Sequence, residues 1–544
     1  LAAEASVSFD NIGGMNETTN KEYRYMNSNA SITSDGTLVT TPAIYGTDSE
    51  TLGHTQPFER LMLRSDFQAK VDYNRTFGKH QVGGALIYDM QSVVKNGRNN
   101  SQKNQSVLVN ATYTYDNRYS LNAVFNRSGS AYLPDGDKYS NYPAVSAAWI
   151  VSNEAFMEKV TPINLFKIRA SYGLSGWDGN LSHELWRQSY GSGGAGYNFG
   201  VNAGGQSGGS EGDLPVIGLV AEKSQKATFG FDLAAFDNRL NATVEGFYEK
   251  RSDILVSGAN STSGIIGITV GQVNEGIYKY KGLDASLSWN DKIGDFHYGI
   301  GASMSYLNTE VVNVNQAYQE YDYLYTKGNR IGQMYGLEAI GFFNSQQEIN
   351  NSPQQTFSDV APGDVKYKDQ NGDNRIDEKD VVKMFGSSVP RFYFGFNLNF
   401  SYKRVELSAD FQGMTGVTVS LLNSPLYSPL VSNGNISNTF LNEEISWTPE
   451  NKTNATMPRL TTQENLNNYR ASSLWYRDGS FLKLRNLLVA YTFPKSQTRF
   501  ADLKVFVQGT NLFSLDNLHF ADPEQLGIAY PSTRSYWAGI KLNF

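Results

Sequence analysis

The run Asp369-Gln370-Asn371-Gly372-Asp373-Asn374-Arg375-Ile376-Asp377-Glu378-Lys379-Asp380 places oxygen side chains at positions one, three, five, nine and twelve of a twelve-residue loop. This is the spacing of an EF-hand-type calcium loop, in which Asp369, Asn371, Asp373, Asp377 and Asp380 surround a hard cation and Arg375 lends its backbone carbonyl. Two positions depart from the pattern. Asn374 stands where glycine is expected, although asparagine tolerates positive φ, and Asp380 has a shorter reach than the usual glutamate. The alternative is a solvated acidic turn in an extracellular loop. A Ca2+ ion bound here would order a long loop and catalyse nothing.

Other chemistry is sparse. There is no cysteine, which removes disulfides, thiolate metal sites and cysteine nucleophiles. His54, His80, His183, His297 and His519 show no metal spacing, and no nucleophile, base and orienting acid assemble from proximity in sequence. The Gly-rich stretch from Gly191 to Gly212 is followed by no Gly-Lys-Ser or Gly-Lys-Thr, so it is expected to be flexible loop and not a phosphate cradle. An enzyme is not expected. Aromatic residues in the long polar segments are the remaining candidates for contact with substrate or partner: Trp177, Trp186, Tyr190, Tyr197, Tyr427 and Trp447, with Phe199, Tyr321, Tyr323 and Tyr325 beside them. Such rings stack on sugars or pack on proteins, although for any single one the plainer role is to stabilise its own loop.

The elements that must position these residues are strands with two chemically distinct rows. In the last nine residues Tyr536, Ala538, Ile540, Leu542 and Phe544 alternate with Trp537, Gly539, Lys541 and Asn543. From Arg60 to Tyr73 the rows are Leu61, Leu63, Phe67, Ala69, Val71, Tyr73 and Arg60, Arg64, Asp66, Gln68, Lys70, Asp72. Val107, Val109, Ala111, Tyr113 and Tyr115 alternate with Asn110, Thr112, Thr114 and Asp116, and Val405, Leu407, Ala409 and Phe411 with Arg404, Glu406, Ser408 and Asp410. Such strands separate water from an apolar medium. A soluble sandwich also alternates, so the connections decide. Short turns at Phe77–His80, Tyr115–Arg118, Phe236–Arg239, Asn290–Asp295 and Tyr402–Arg404 take turns with long segments rich in Gly, Asn, Ser and Asp, such as Gly176–Lys223, Val314–Pro390 and Thr415–Trp475. That is the layout of a transmembrane antiparallel β-barrel with periplasmic turns and extracellular loops. Some sixteen strands are expected, the clearer ones with about 9–11 residues each.

Composition agrees. Hydrophobic residues are 40% of the 544 and the mean hydropathy is -0.42, so no apolar helical span is expected. Lipid-facing residues that alternate with lumen-facing ones give such values. The 33 Tyr and 30 Phe against 7 Trp suit aromatic girdles. A net charge of -7 argues against nucleic acid as a partner. The chain starts at Leu1 without Met, basic n-region or apolar h-region, yet an outer-membrane protein must be exported, so it is expected to be part of a longer protein.

Several stretches, in order, resemble the SusC/RagA-like TonB-dependent outer-membrane transporters. They include Trp149-Ile150-Val151-Ser152-Asn153-Glu154, Leu165 through Gly173, Asp237-Asn238-Arg239-Leu240 through Tyr248, Asn274-Glu275-Gly276 through Asp284 and Gly341-Phe342-Phe343. Met457-Pro458-Arg459-Leu460, Ser472 through Asn486, Tyr491-Thr492-Phe493-Pro494, Gly509-Thr510-Asn511-Leu512-Phe513 and Asp522-Pro523-Glu524 complete the set. The resemblance implies a 22-stranded barrel filled by an N-terminal plug. Residues 1–544 would supply about its last sixteen strands and extracellular loops, without the plug, TonB box and first strands. It further implies a multi-pass barrel in the outer membrane of a Gram-negative bacterium, importing an oligosaccharide or peptide nutrient. The implied partners are a SusD-like surface lipoprotein lid, TonB acting through the N-terminal region, outer-membrane lipid, and a second copy in a dimer. A docking component of a larger envelope complex and a passive porin remain alternatives. The signature words themselves have structural uses: Arg477, Asp478, Lys483 and Arg485 can pair along a charged lumen row, and Asp116-Asn117, Asp237-Asn238 and Pro494 suit turns.

Overall fold

A computed structural model describes residues 2–33, 38–95, 101–182, 184–197, 206–258, 265, 267–268, 270–422, 424, 445–461, 463–518, 521–526 and 532–544. Sixteen strands form its main sheet. They are β1 (Ala2–Glu22), β2 (Ser49–Phe77), β3 (His80–Lys95), β4 (Ser101–Tyr115), β5 (Tyr119–Ser130), β6 (Tyr139–Ile150), β7 (Ile163–Trp177) and β8 (Glu222–Ala235). The second half comprises β9 (Leu240–Ser257), β10 (Gln272–Ile293), β11 (Phe296–Asn313), β12 (Phe392–Tyr402), β13 (Val405–Thr415), β14 (Phe481–Phe493), β15 (Asp502–Asp516) and β16 (Ser535–Asn543). Each pairs with its neighbours in chain order, with β1 and β16 at the two edges. Strand lengths run from 9 residues in β16 to 29 in β2. They outgrow the expected 9–11 because antiparallel pairing, once in register, continues until a loop diverts it.

The connections fall into two sets, as the sequence predicts. At one end β4 and β5 turn through Asp116 and Asn117 at φ +51° and +52°, and β8 and β9 through Phe236, Asp237 and Asn238 at φ +54° to +61°. Left-handed residues at a hairpin match the twist of the strands it joins, and Asp and Asn bear that conformation at little cost. The turn expected over Asn290–Asp295 is tighter than the sequence suggests. Asp291 and Lys292 still pair with Tyr298 and His297, leaving only Gly294 and Asp295 between strands. Two longer connections, 151–162 and 494–501, lie at the same end, and Pro494 caps the short helix Lys495–Thr498. The last strand ends here too, with Asn543 opposite Asp502.

Burial along the strands is inverted relative to a water-soluble sheet. In β4 Val107, Val109 and Tyr113 are 42%, 45% and 40% exposed, while Asn110, Thr112 and Thr114 between them are half-buried. β5 repeats this with Leu121 and Phe125 exposed and Ser120 and Asn122 half-buried, as does β6 with Val145 and Trp149 against Ser146 and Ala148. A sheet that turns its apolar row outward and its polar row inward is stable only where the outside is hydrocarbon. At the tight-turn end the outer row carries Tyr119 stacked on Trp149 (6.4 Å), Phe236 tilted against Trp289 (5.8 Å) and Tyr491 edge-on to Phe493 (4.7 Å), an aromatic girdle. Among the described residues no helix is long and apolar enough to cross a membrane. The buried clusters lie mostly in the long connections: Leu133, Leu181, Val216, Leu219 and Ala221; Leu421, Met457 and Trp475; Leu337, Val365, Tyr367 and Ile376. Part of the Gly-rich stretch expected to be loose loop forms a hairpin, Tyr190–Tyr197 with Gln206–Glu211.

The register gives a direct test. Val109→Arg, on the outer row near mid-strand, is expected to cost about 2–4 kcal/mol of folding free energy in lipid, whereas Asn110→Arg on the inner row costs almost nothing. Equal losses in refolding titrations would reverse the assignment of faces.

Candidate functional site

The described residues of two long connections, 314–391 and 416–480, fold into one block at the end opposite the tight turns. Hydrogen bonds join them: Leu337 N–H donates to Ala471 O (2.9 Å), Ser473 N–H to Leu337 O (3.0 Å) and Ala339 N–H to the Ser473 side-chain Oγ (2.9 Å). The hub is Asp364, fully buried. Its carboxylate accepts from Arg459 Nε (2.7 Å) and Nη2 (3.2 Å), Asn465 Nδ2 (3.1 Å), Asn468 Nδ2 (2.9 Å) and the Ala361 N–H (2.7 Å). A carboxylate can stay charged out of water only when its lone pairs are filled in this way. Around it Gln355 Nε2 donates to Val365 O and Asn467 Oδ1, both at 2.8 Å, Tyr367 Oη to Asn467 O (2.7 Å) and Trp475 Nε1 to Asn468 O (2.8 Å). Burial pushes the Tyr367 phenol well above its usual range. Gly363 is required here, because its φ is +94° and a Cβ would sit 2.4 Å from the Trp447 ring.

A second charged cluster lies on the inner row where β14 bulges. Pairing to both neighbours slips at Arg485, so that Leu484 faces Phe411 and Phe513 while Asn486 faces Asp410 and Thr510. A bulge re-aims its extra side chain. Arg485 reaches Gln412 Oε1 (2.9 Å), Asn511 Oδ1 (3.2 Å) and Glu524 Oε1 (2.5 Å). Lys483, 3% exposed, binds Asp522 Oδ1 (2.5 Å) and Glu524 Oε2 (2.6 Å). The Asp522-Pro523-Glu524 turn is thereby clamped to the wall. Burial pushes both carboxyls up, but hydrogen bonding from Lys483, and from Arg485 in the case of Glu524, outweighs it and leaves both below the usual carboxylate range. Farther along the inner face Lys167 pairs with Asp232 (3.3 Å), Arg169 with Asp232 and Glu245, and Ser305 donates to Asp284 (2.6 Å). A concavity of about 550 Å³ here is lined by Arg169, Glu245, Asp284, Ser305, Tyr393 and Gln412. These are groups for binding and orientation, with no activated nucleophile among them.

The acidic loop is closed by its own backbone. Gly372 and Asn374 N–H donate to the Asp369 carboxylate (2.7 and 2.8 Å), Asp373 N–H to Asn371 Oδ1 (3.1 Å), Arg375 N–H to Asp373 Oδ1 (2.9 Å) and Lys379 N–H to Asp377 Oδ1 (2.8 Å). Buried Asp380 accepts from the Gln370 and Asp377 N–H groups, both at 2.8 Å. Asn374 takes φ +61°, the conformation that glycine would supply at that position. Among the described residues no group of three His, Cys, Asp or Glu side chains is placed to hold a metal ion by itself, so a cation here would also draw on Asn371 and backbone carbonyls.

The aromatic candidates scatter. Trp177 and Tyr190 are 55% and 72% exposed, open to a ligand. Trp186 packs on the Leu133 cluster under the Arg187 guanidinium (4.3 Å). Trp447, expected as a contact residue, is instead buried over Gly363, where the loop block needs apolar volume. Tyr323 stacks on Tyr321 (5.3 Å) and donates to Lys379 O (2.7 Å), holding the acidic loop. Tyr197 lies in a strand with its side chain outside the described residues, and Tyr427 and Phe199 lie outside them altogether.

No family model matches the chain. It is 28% identical over 461 residues to TonB-dependent receptor P26 of Formosa agariphila, a match covering 79% of this chain and 45% of that protein. It is 22% identical over 465 residues to TonB-dependent receptor SusC of Bacteroides thetaiotaomicron, covering 79% and 43%. The fold matches a solved structure of the RagAB peptide transporter with a TM-score of 0.71 at 19% identity, over 89% of this chain and 56% of that one. This chain is similar in sequence to TonB-dependent receptors, SusC among them, and in fold to RagAB. It spans about half the length of the curated relatives it matches. Their names are those of receptors, not enzymes.

In this SusC-like chain the signature words are the joints of the loop block and its clamp. Ser472 and Trp475 are fully buried in it, Met457 and Arg459 hold Trp447 and Asp364, Phe343 is 1% exposed, and Asp522 and Glu524 grip Lys483 and Arg485. The hub residues Asp364, Asn465, Asn467, Asn468 and Gln355 were not legible. Polar residues in Asn-rich connections read as solvent-exposed unless their partners, about a hundred residues away, are known.

Two outcomes are expected. Arg459→Met strands a buried carboxylate, so hydrogen exchange should show the block losing about 3–5 kcal/mol of local stability in both connections together. Loss in 416–480 alone would mean that the connections are not one unit. Because the folded Asp522 and Glu524 carboxyls titrate below their unfolded values, the clamp is at full strength above about pH 5 and weakens as pH falls through the depressed folded values. Amide exchange in 521–526 should therefore rise on acidification, and Lys483→Met should show that faster exchange already at neutral pH.

Proposed function

We propose that this chain is the barrel portion of an outer-membrane importer of glycan or peptide nutrients, closed by a SusD-like lipoprotein and energised by TonB. The observation that carries this is the inverted burial of the sixteen-stranded sheet, with an apolar row outward and a polar, ion-paired row inward, in a chain related to TonB-dependent receptors. The tight turns then face the periplasm, and the loop block stands at the extracellular mouth. RagAB, whose fold this chain shares, is a peptide transporter, which supports the same layout for a nutrient path through this barrel. Exposed Trp177 and Tyr190 are the residues that would meet the lid or cargo. Recovery of the full-length protein from detergent-solubilised outer membranes, with mass spectrometry of what stays bound, tests the proposal. A SusD-like lipoprotein with an oligosaccharide or peptide is the expected result. Envelope machinery with neither lid nor cargo would overturn it.

The acidic loop would take Ca2+ at the extracellular surface, where the ion is at about millimolar concentration, through carboxylate lone pairs that the backbone N–H groups leave over. Its effect would be to pin the loop against Tyr323 and the rest of the block. Chelation should raise protease cleavage between Asp369 and Asp380, and Asp373→Ala should give the cleaved pattern with or without chelator. Identical digestion of the wild type in both conditions would remove the cation from the scheme.

A further inference from the structure

A groove of about 650 Å³ lies on the outer face of β2 to β6, near their loop-side ends. One rung of the sheet makes its floor: Phe67 pairs with Met90, Met90 with Gln105, Gln105 with Gly129 and Gly129 with Tyr139. This rung is in step with the apolar outer row, since Gln105 precedes Val107 by two residues. Phe67, Met90 and Tyr139 are 39%, 46% and 45% exposed. Gly129 lets the Tyr139 ring lie across the backbone, because a Cβ would come within 2.5 Å of it. The next rung is Ser65, Ser92 and Lys103, whose two serines are too small to fill the hollow.

Cations flank this apolar floor over β4 and β5, Lys103 one rung toward the loops and Arg127, opposite Val107, one rung toward the tight turns. Lys103 and Lys138 line the groove, and the Arg127 guanidinium stands 5.6 Å over the Tyr139 ring. Lys138 is paired with Asp135, but Lys103 and Arg127 make no ion pair among the described residues. Height matters as well. Gln105 is ten residues from Tyr115 of the tight-turn girdle, which at about 3.4 Å per residue and about 45° of tilt is roughly 24 Å, close to the height of an apolar barrel band. The groove therefore lies where acyl chains meet headgroups on the loop side.

We infer that this groove binds a phosphorylated lipid of the outer leaflet, with an acyl chain over Phe67 and Met90 and the phosphate between Lys103 and Arg127. A water-soluble anion has no use for the apolar floor, and an uncharged lipid leaves two cations uncompensated at the interface. The inference rests on the orientation proposed above, with loops outward.

The test is native mass spectrometry of the full-length protein in detergent, titrated with diphosphoryl lipid A, with the dephosphorylated form and with phosphatidylcholine. The wild type should prefer diphosphoryl lipid A, and Lys103→Gln with Arg127→Gln should weaken that binding about tenfold or more. Ser92→Trp, which fills the hollow and leaves both cations, should weaken all three lipids. Equal binding of the three lipids by the wild type, or unchanged binding in both variants, overturns the inference. Recovery of lid and cargo should be the same in all variants, so failure of this site and failure of the importer proposal are separable.

Discussion

Everything in this chain depends on the backbone having no water to bond with where it crosses the membrane. An unpaired N–H or C=O in hydrocarbon costs several kcal/mol, so each crossing segment must be paired on both sides by its neighbours. Sixteen strands in unbroken sequential order supply that pairing. Once the strands are fixed, their twofold period does the rest. Every second residue faces lipid and the others face the lumen, and a chain with 40% hydrophobic residues is enough to satisfy both media.

The consequence is a protein whose largest apolar surface faces outward and whose water-excluding cores lie mostly in its connections. The loop block is held in the manner of a soluble domain, by two apolar clusters, one on Trp475 and Leu421 and the other on Val365 and Ile376, and by a buried polar hub on Asp364. Two connections that enter the block from separate strand pairs share this interior, so neither can rearrange alone. The Lys483 and Arg485 clamp ties a third connection to the wall beneath. A loop block held this way presents a rigid surface at the end opposite the tight turns.

Ion pairing follows the same division. On the inner face, carboxylates and cations pair across strands, as Arg169 does with Asp232 and Glu245, because unpaired charges beside a low-dielectric wall are costly. On the outer face, cations appear near the strand ends, where headgroups replace hydrocarbon and can compensate them.

The sequence by itself determined the strands, their faces and the sides of their turns. Alternation is a local signal, and Asp116-Asn117, Asp237-Asn238 and Gly78 carry their turn preference in their own backbone energetics. It also carried the relationship to SusC, through words such as Ser472 to Asn486 whose use it could not reveal. Tertiary structure alone decided that those words are buried joints, that Trp447 is core and Tyr190 surface, and that Asp364 is a hub. It likewise decided that Phe67, Met90 and Tyr139 share one rung, with Lys103 and Arg127 on the rungs to either side. These are contacts between residues tens to a hundred positions apart. No local propensity encodes them, since the burial of a polar side chain is set by the partner that satisfies it.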